Sequence, residues 1–377
     1  MNRFDRTDLS NSSRIIVKIG TSLLDTDTSV MEHIIEQIHE LRSEDREIVL
    51  VTSGAIFFGS RALNRDSDPV TLPQKQAIAA VGQPSLMNFY ARHFKEYSIE
   101  TAQVLLTQQE IHNRETYLNA SNTLNTLLDM DVIPVINEND TVATEEIQFG
   151  NNDTLASLVT TLVDGDVLII LSDVDGLYED EPSSDREPIS RVEEITDQIR
   201  EWAGPSEKGR PTVGGMITKI EAAETLINSG TPMGVVSGYE KNVLNRFISG
   251  EEVGTLFVPQ QGEQAVRGRK RWIGYHLPTK GSVVVDEGAE KALVDRGTSL
   301  LPSGVTDVSG QFQRGDVVKV YSETGDELAR GLTNYEPVEI EKLKGCQTEE
   351  ISDILGYHDF DEIIHRDNLV ILTNNGK

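Results

Sequence analysis

Ile15-Ile16-Val17-Lys18-Ile19-Gly20-Thr21-Ser22 is the stretch on which the reading of this chain turns. Its apolar residues are β-branched and the run is short, which reads as a strand buried on both faces. It then breaks into a small, polar turn. Lys18 interrupts the apolar run, where a charge is costly unless a partner is at hand. Comparable runs recur at 48–51, 104–106, 132–136, 167–171 and 234–236. Between them lie stretches of helical spacing at 31–43, 75–97, 116–129, 155–163 and 216–228. This alternation predicts an α/β fold: a mainly parallel sheet covered by helices, with ligands bound beyond the carboxyl ends of its strands.

Polar, glycine-containing motifs fall at those ends. Thr52-Ser53-Gly54-Ala55 follows one run, Asn137-Glu138-Asn139-Asp140 another, and Ser172-Asp173 a third. Asn151-Asn152-Asp153 precedes the helical stretch at 155–163, where Asp153 also reads as an N-cap. Gly214-Gly215-Met216-Ile217-Thr218-Lys219 opens the last helix, with Val213 just before it. Exposed backbone N–H groups and the positive end of a helix dipole favour an anion there, and Lys219 adds a full charge. Lys18 and Lys219, about two hundred positions apart, are therefore candidate phosphate ligands. Asp153 is the candidate for orienting both. Asp140 is suited to a substrate ammonium group.

Composition narrows the class. The 377 residues carry 34 Lys+Arg against 62 Asp+Glu, a formal net charge of -28. Such a surface disfavours nonspecific binding to nucleic acid or anionic membrane. Cys346 is the only cysteine and the seven histidines are scattered, so no metal ligand set is expected. The polar N-terminus lacks a signal-peptide core, and no apolar run approaches spanning length. The expectation is a cytoplasmic protein. The residues divide into a catalytic domain at 1–259, a polar linker at 260–278 containing Arg267, Arg269, Lys270 and Arg271, and a small β-rich domain at 279–377. The last shows strand runs at 282–285, 317–321, 328–332 and 370–372 with a helix at 289–295.

With these motifs in hand, the chain resembles the glutamate 5-kinase family of the amino acid kinase superfamily. The resemblance rests on IVKIGTS, VTSGA, AAVGQ, VIPVINENDTVAT, NNDTLA, LSDVDGLY and GGMITK, and the C-terminal part resembles a PUA domain. It implies a three-layer α/β/α catalytic domain that phosphorylates the γ-carboxylate of L-glutamate with ATP and Mg²⁺, the first step of proline biosynthesis. Lys18 and residues Val213, Gly214, Gly215, Met216, Ile217, Thr218 and Lys219 would then contact ATP, with Ser172 and Asp173 lining the nucleotide site. Ser53, Gly54, Ala55, Asn137, Asp140 and Asn152 would hold glutamate. The catalytic residues would be Lys18, Lys219 and Asp153. Val213 and Ser172 stand where the family commonly has threonine. Feedback by L-proline and a homo-oligomer are further expectations. An acetylglutamate or carbamate kinase, or an RNA-binding PUA protein, are the alternatives. The excess of acidic over basic residues after position 279 argues against RNA.

Overall fold

The computed structural model describes residues 4–24, 28–64, 71–111, 114–143, 152–179, 187–204, 215–259 and 279–372. The chain separates into two compact units, Met1–Glu263 and Gln264–Lys377. The expected linker at 260–278, with its basic cluster, lies outside the described residues, as do Val213 and Gly214.

The first unit is built on eight strands: β1 (Arg14–Ile19), β2 (Glu47–Thr52), β3 (Thr101–Leu106), β4 (Ile133–Glu138), β5 (Val167–Ser172), β6 (Arg191–Val192), β7 (Met233–Ser237) and β8 (Thr255–Phe257). Their order across the sheet is β3-β4-β2-β1-β5-β7-β8-β6. Every pairing is parallel except β7 with β8. β1 therefore sits inside the sheet, with Lys18 level with Val51 on one side and Ile170 on the other.

Strand alternation assigns the two faces. Ile15, Val17 and Ile19 join Leu50, Val135 and Ile169 in a core shared with helices Thr28–Ser43, Leu72–Lys95 and Val243–Ile248. Ile16 and Lys18 point the other way, towards helix Asn152–Leu162, which packs in turn on helix Met216–Asn228. The result is the three-layer α/β/α arrangement. It also explains why β4 and β5 are buried along their whole length and read as continuous apolar runs.

Two glycine positions set helix Ala55–Ala62 in place. Gly54 adopts φ 108°, left-handed backbone that β-carbon-bearing residues avoid, and caps helix Ala55–Ala62. A side chain at Gly82 would place its Cβ 1.9 Å from the carbonyl oxygen of Ala55, so that helix and Leu72–Lys95 touch backbone to backbone. The polar N-terminus also has structure. Residues Arg6–Asn11 form a short 3-10 helix, and the buried Arg6 guanidinium donates to the carbonyls of Ser190, Glu251 and Val253.

The second unit carries β9 (Thr279–Val285), β10 (Val305–Gly310), β11 (Val317–Ser322), β12 (Glu327–Leu332) and β13 (Leu369–Ile371), in the order β10-β9-β11-β12-β13. β9 and β11 pair in parallel and the other neighbours antiparallel. It has its own core, in which Val283, Val318, Val320, Leu293 and Tyr335 are buried. Among the described residues no helix is long and apolar enough to cross a membrane.

Candidate active site

The interruption of β1 by Lys18 finds its physical reason in Asp153. The lysine, only 5% exposed, places Nζ 2.6 Å from Asp153 Oδ1. Lys219, 3% exposed, approaches the other carboxylate oxygen, Oδ2, at 3.4 Å. Thr218 Oγ1 also lies 3.1 Å from Oδ2. Asp153 itself has no exposed surface. The N-cap expectation for Asp153 is therefore corrected. Helix Asn152–Leu162 already contains Asp153 in its first turn, and the carboxylate turns inward to the two cations.

This triad holds two buried positive charges against one negative. Burial pulls the Lys219 ammonium below its ordinary pKa; Asp153 opposes that shift, and Lys18 adds to it. The charge of Asp173 also reaches Lys219. Asp173 follows Ser172, the buried last residue of β5, and receives a hydrogen bond from its hydroxyl at 3.1 Å. Lys219 stands in the first turn of a 13-residue helix whose N-cap is Gly215, with Met216, Ile217 and Thr218 completing that turn. Thr218 N–H donates to the Gly215 carbonyl at 3.2 Å, but the N–H groups of Met216 and Ile217 precede the first helical bond, and the dipole's positive end faces the same way.

One residue before Asp153, Asn152 begins a different kind of network. Its Nδ2 donates to the Thr52 carbonyl (2.6 Å), to Ser53 Oγ (2.8 Å) and to Asn137 Oδ1 (3.1 Å). Asn137 Nδ2 donates in turn to Gln83 Oε1 at 2.8 Å. Thus Ser53, Asn137 and Asn152 come together from the turn after β2, from β4 and from a helix start, with Gly54 and Ala55 continuing from Ser53. Gln83, in the middle of helix Leu72–Lys95, had no role in the sequence reading beyond its place in AAVGQ. Thr52 is fixed beneath by a 2.7 Å contact between its hydroxyl and that of buried Tyr90, from the same helix.

The end of β4 carries acid. Burial raises the half-buried Asp140 to about 6. Glu138, 6% exposed, has no hydrogen-bond donor at either carboxylate oxygen among the described residues. Burial first, then the charges of Asp140 and Glu110, push it up to about 8. Glu138 stood in the sequence only as part of its motif, without a function.

Two lysines held on one aspartate at the carboxyl rim, a helix N-terminus beside them and a polar amide network adjoining are what an anionic phosphoryl donor and a polar acceptor require. The sequence profile of the amino acid kinase family matches residues 13–237, which include every residue of this rim. The chain belongs to the amino acid kinase family. The PUA domain profile matches residues 281–355 of the second unit. Full-length relatives are similar throughout. The glutamate 5-kinase of Caldanaerobacter subterraneus subsp. tengcongensis is 49% identical over 371 residues, 97% of this chain and 99% of its own. That of Thermoanaerobacter sp. strain X514 is 47% identical with the same coverage. The glutamate 5-kinase of Moorella thermoacetica is 43% identical over 374 residues, covering 97% of this chain and 98% of the relative. In this amino acid kinase, then, the motifs that set the rim belong to a chain shared end to end with those enzymes.

Proposed function

We propose that the chain catalyses the glutamate 5-kinase reaction: L-glutamate and ATP give L-glutamyl 5-phosphate and ADP, the entry to proline biosynthesis. The observation that carries this reading at the site is the convergence of Lys18 and Lys219 on Asp153, beside the Ser53–Asn152–Asn137 network. The relatives named above support the choice of glutamate as acceptor.

A γ-carboxylate is ionised at neutral pH, so the nucleophile needs no general base. One of its oxygens forms a bond to the γ-phosphorus of ATP while the bond from that phosphorus to the β-phosphate bridge oxygen breaks. The electron pair leaves with ADP. The obstacle is bringing one anion to another. Two unit charges about 4 Å apart interact by about 4 kcal/mol at an effective dielectric near 20. Lys18, Lys219 and the amides at the start of helix Met216–Asn228 offset a repulsion of that order, and Asp153 holds the lysines in place before substrate arrives. To Val213, Gly214, Gly215, Met216, Ile217 and Thr218 we assign contact with the nucleotide phosphates, with Ser172 and Asp173 at the nucleotide. Ser53, Gly54, Ala55, Asn137 and Asn152 hold glutamate, and Asp140 takes its ammonium group. Mg²⁺ bound to the nucleotide, mainly through phosphate oxygens and water, would supply further positive charge.

L-Proline, which resembles a cyclised glutamate, competes at Asp140 as a feedback inhibitor. The protein works in the cytoplasm as a homo-oligomer, and its PUA-like part does not bind RNA. The deciding experiment follows ADP release with glutamate, acetylglutamate, aspartate and carbamate as acceptors, trapping acyl phosphate with hydroxylamine. Glutamate- and Mg²⁺-dependent trapping is expected. ATP turnover indifferent to glutamate, or preference for another acceptor, overturns the reading.

A further inference from the structure

The amide network at the rim has a direction, and its direction leaves one group over. A backbone carbonyl can only accept, so the 2.6 Å contact with the Thr52 oxygen fixes the Asn152 amide with Nδ2 towards β2. The same Nδ2 meets Asn137, which must therefore present its oxygen. Asn137 is then left to donate through Nδ2, and the atom of Gln83 that receives it must be Oε1. Turning any one of these amides round would set donor against donor or acceptor against acceptor. The far end of the relay is consequently Gln83 Nε2, a donor with no acceptor among the described residues on a side chain only 9% exposed. A buried donor without an acceptor forfeits its hydration and gains nothing in return, so its natural complement is a ligand.

Resting on the function proposed above, we infer that Gln83 is a substrate-binding residue whose Nε2 takes the α-carboxylate of glutamate. The order of the relay selects this carboxylate over the reacting one. Asn152 adjoins Asp153 and the lysines in the chain, while Gln83 lies two amide links further on. The γ-carboxylate must meet the phosphoryl group at the lysines. The opposite end of the same molecule then falls towards Gln83. Asp140, three residues beyond Asn137, takes the ammonium on the same α-carbon, so the two groups of that carbon meet two groups flanking one strand end. Gln83 would thereby select acceptors that carry an α-carboxylate.

The test uses the full-length protein with L-glutamate and L-isoglutamine, whose α-carboxylate is replaced by a carboxamide while the γ-carboxylate and α-ammonium remain. Gln83→Glu keeps an acceptor for Asn137 but replaces the free donor by an anionic oxygen. The KM for glutamate should rise roughly 10–100-fold, the value of a hydrogen bond to a charged group. The KM for ATP should stay near its original value, and the preference for glutamate over isoglutamine should shrink or reverse. Gln83→Met, nearly isosteric and uncharged, should weaken the same preference less. It serves if the first variant folds poorly. Equal losses for both acceptors, or an unchanged preference in a folded variant, overturn the assignment. A wild-type protein that ignores glutamate instead defeats the kinase reading, a separate result.

Discussion

At the carboxyl end of β1, Lys18 and Lys219 share the two oxygens of Asp153, and the pairing is complete before any substrate binds. At the carboxyl end of β4 the opposite holds: Glu138 is as deeply buried, yet neither oxygen accepts a hydrogen bond among the described residues. Both ends lie in one mainly parallel sheet and use the same device, a polar residue where a buried strand runs out. The difference is in what each awaits. The β1 end spends one carboxylate to fix two cations, leaving net positive charge for phosphate. The β4 end gathers carboxyl groups, of which Asp140, ionised above about pH 6, is suited to an ammonium group. A substrate that is anionic at one end and cationic at the other is oriented by the contrast.

Breaking the paired end should have the largest effect. Asp153→Asn removes the charge that keeps two buried ammonium groups together. Leaving a buried charge uncompensated typically costs about 3–5 kcal/mol of stability. Urea unfolding should show a loss of that order, and ADP release should fall to near background even where the protein is folded. A variant with wild-type stability would mean that water, not Asp153, satisfies the lysines. Next come Lys219→Ala and Lys18→Ala. Each leaves Asp153 one cation, so folding should survive while kcat falls by roughly 10²–10³, the usual cost of a lost preorganised donor. Steady-state rates on variants with native circular dichroism decide it. Wild-type kcat in either would remove that lysine from the phosphate site.

The paired end was also the more legible in the sequence. Lys18 stands out because a charge within a β-branched run demands a partner, and Lys219 because Gly214-Gly215 opens a helix. The buried parallel strands were readable for the same reason, since burial on both faces leaves an unbroken apolar run. Short or exposed strands were not. β6 and β8 span two and three residues, too short for any periodicity, and β10 is largely exposed, so it shows no apolar alternation. Helix Ala55–Ala62 was hidden because it follows β2 through a single glycine turn and spans only eight residues, too few turns to establish a period. Gln83 was hidden more deeply. It lies 54 positions from Asn137, and the direction of a hydrogen-bond relay is a property of the folded amides alone.

The unpaired end offers a milder test, through pH. Glu138, pushed up to about 8 mainly by burial, binds its proton more tightly folded than unfolded, where the ordinary value is 4.5. Its neutral form is therefore the one that favours folding. That favourable contribution is fully present below 4.5 and is lost as pH rises to about 8, at a slope of up to about 1.4 kcal/mol per pH unit. Asp140 has the same sign over a lower window, from 3.8 to about 6. Function runs the other way, because only ionised Asp140 attracts an ammonium group. Acidifying the free enzyme from pH 8 to 5 should thus reduce the penalty from Glu138 while raising the KM for glutamate below about pH 6. Glu138→Gln separates the two effects. Measured as the difference from wild type across that range, which cancels the other titrating groups, its stability gain should appear as pH rises towards 8 and vanish near pH 4.5. The rise in KM below about pH 6 should persist in this variant, because burial alone raises Asp140. Asp140→Asn should abolish that rise at the cost of a uniformly high KM for glutamate, with the KM for ATP little changed. If Glu138→Gln leaves the pH dependence of stability untouched, Glu138 is solvated or paired, and the contrast between the two strand ends fails.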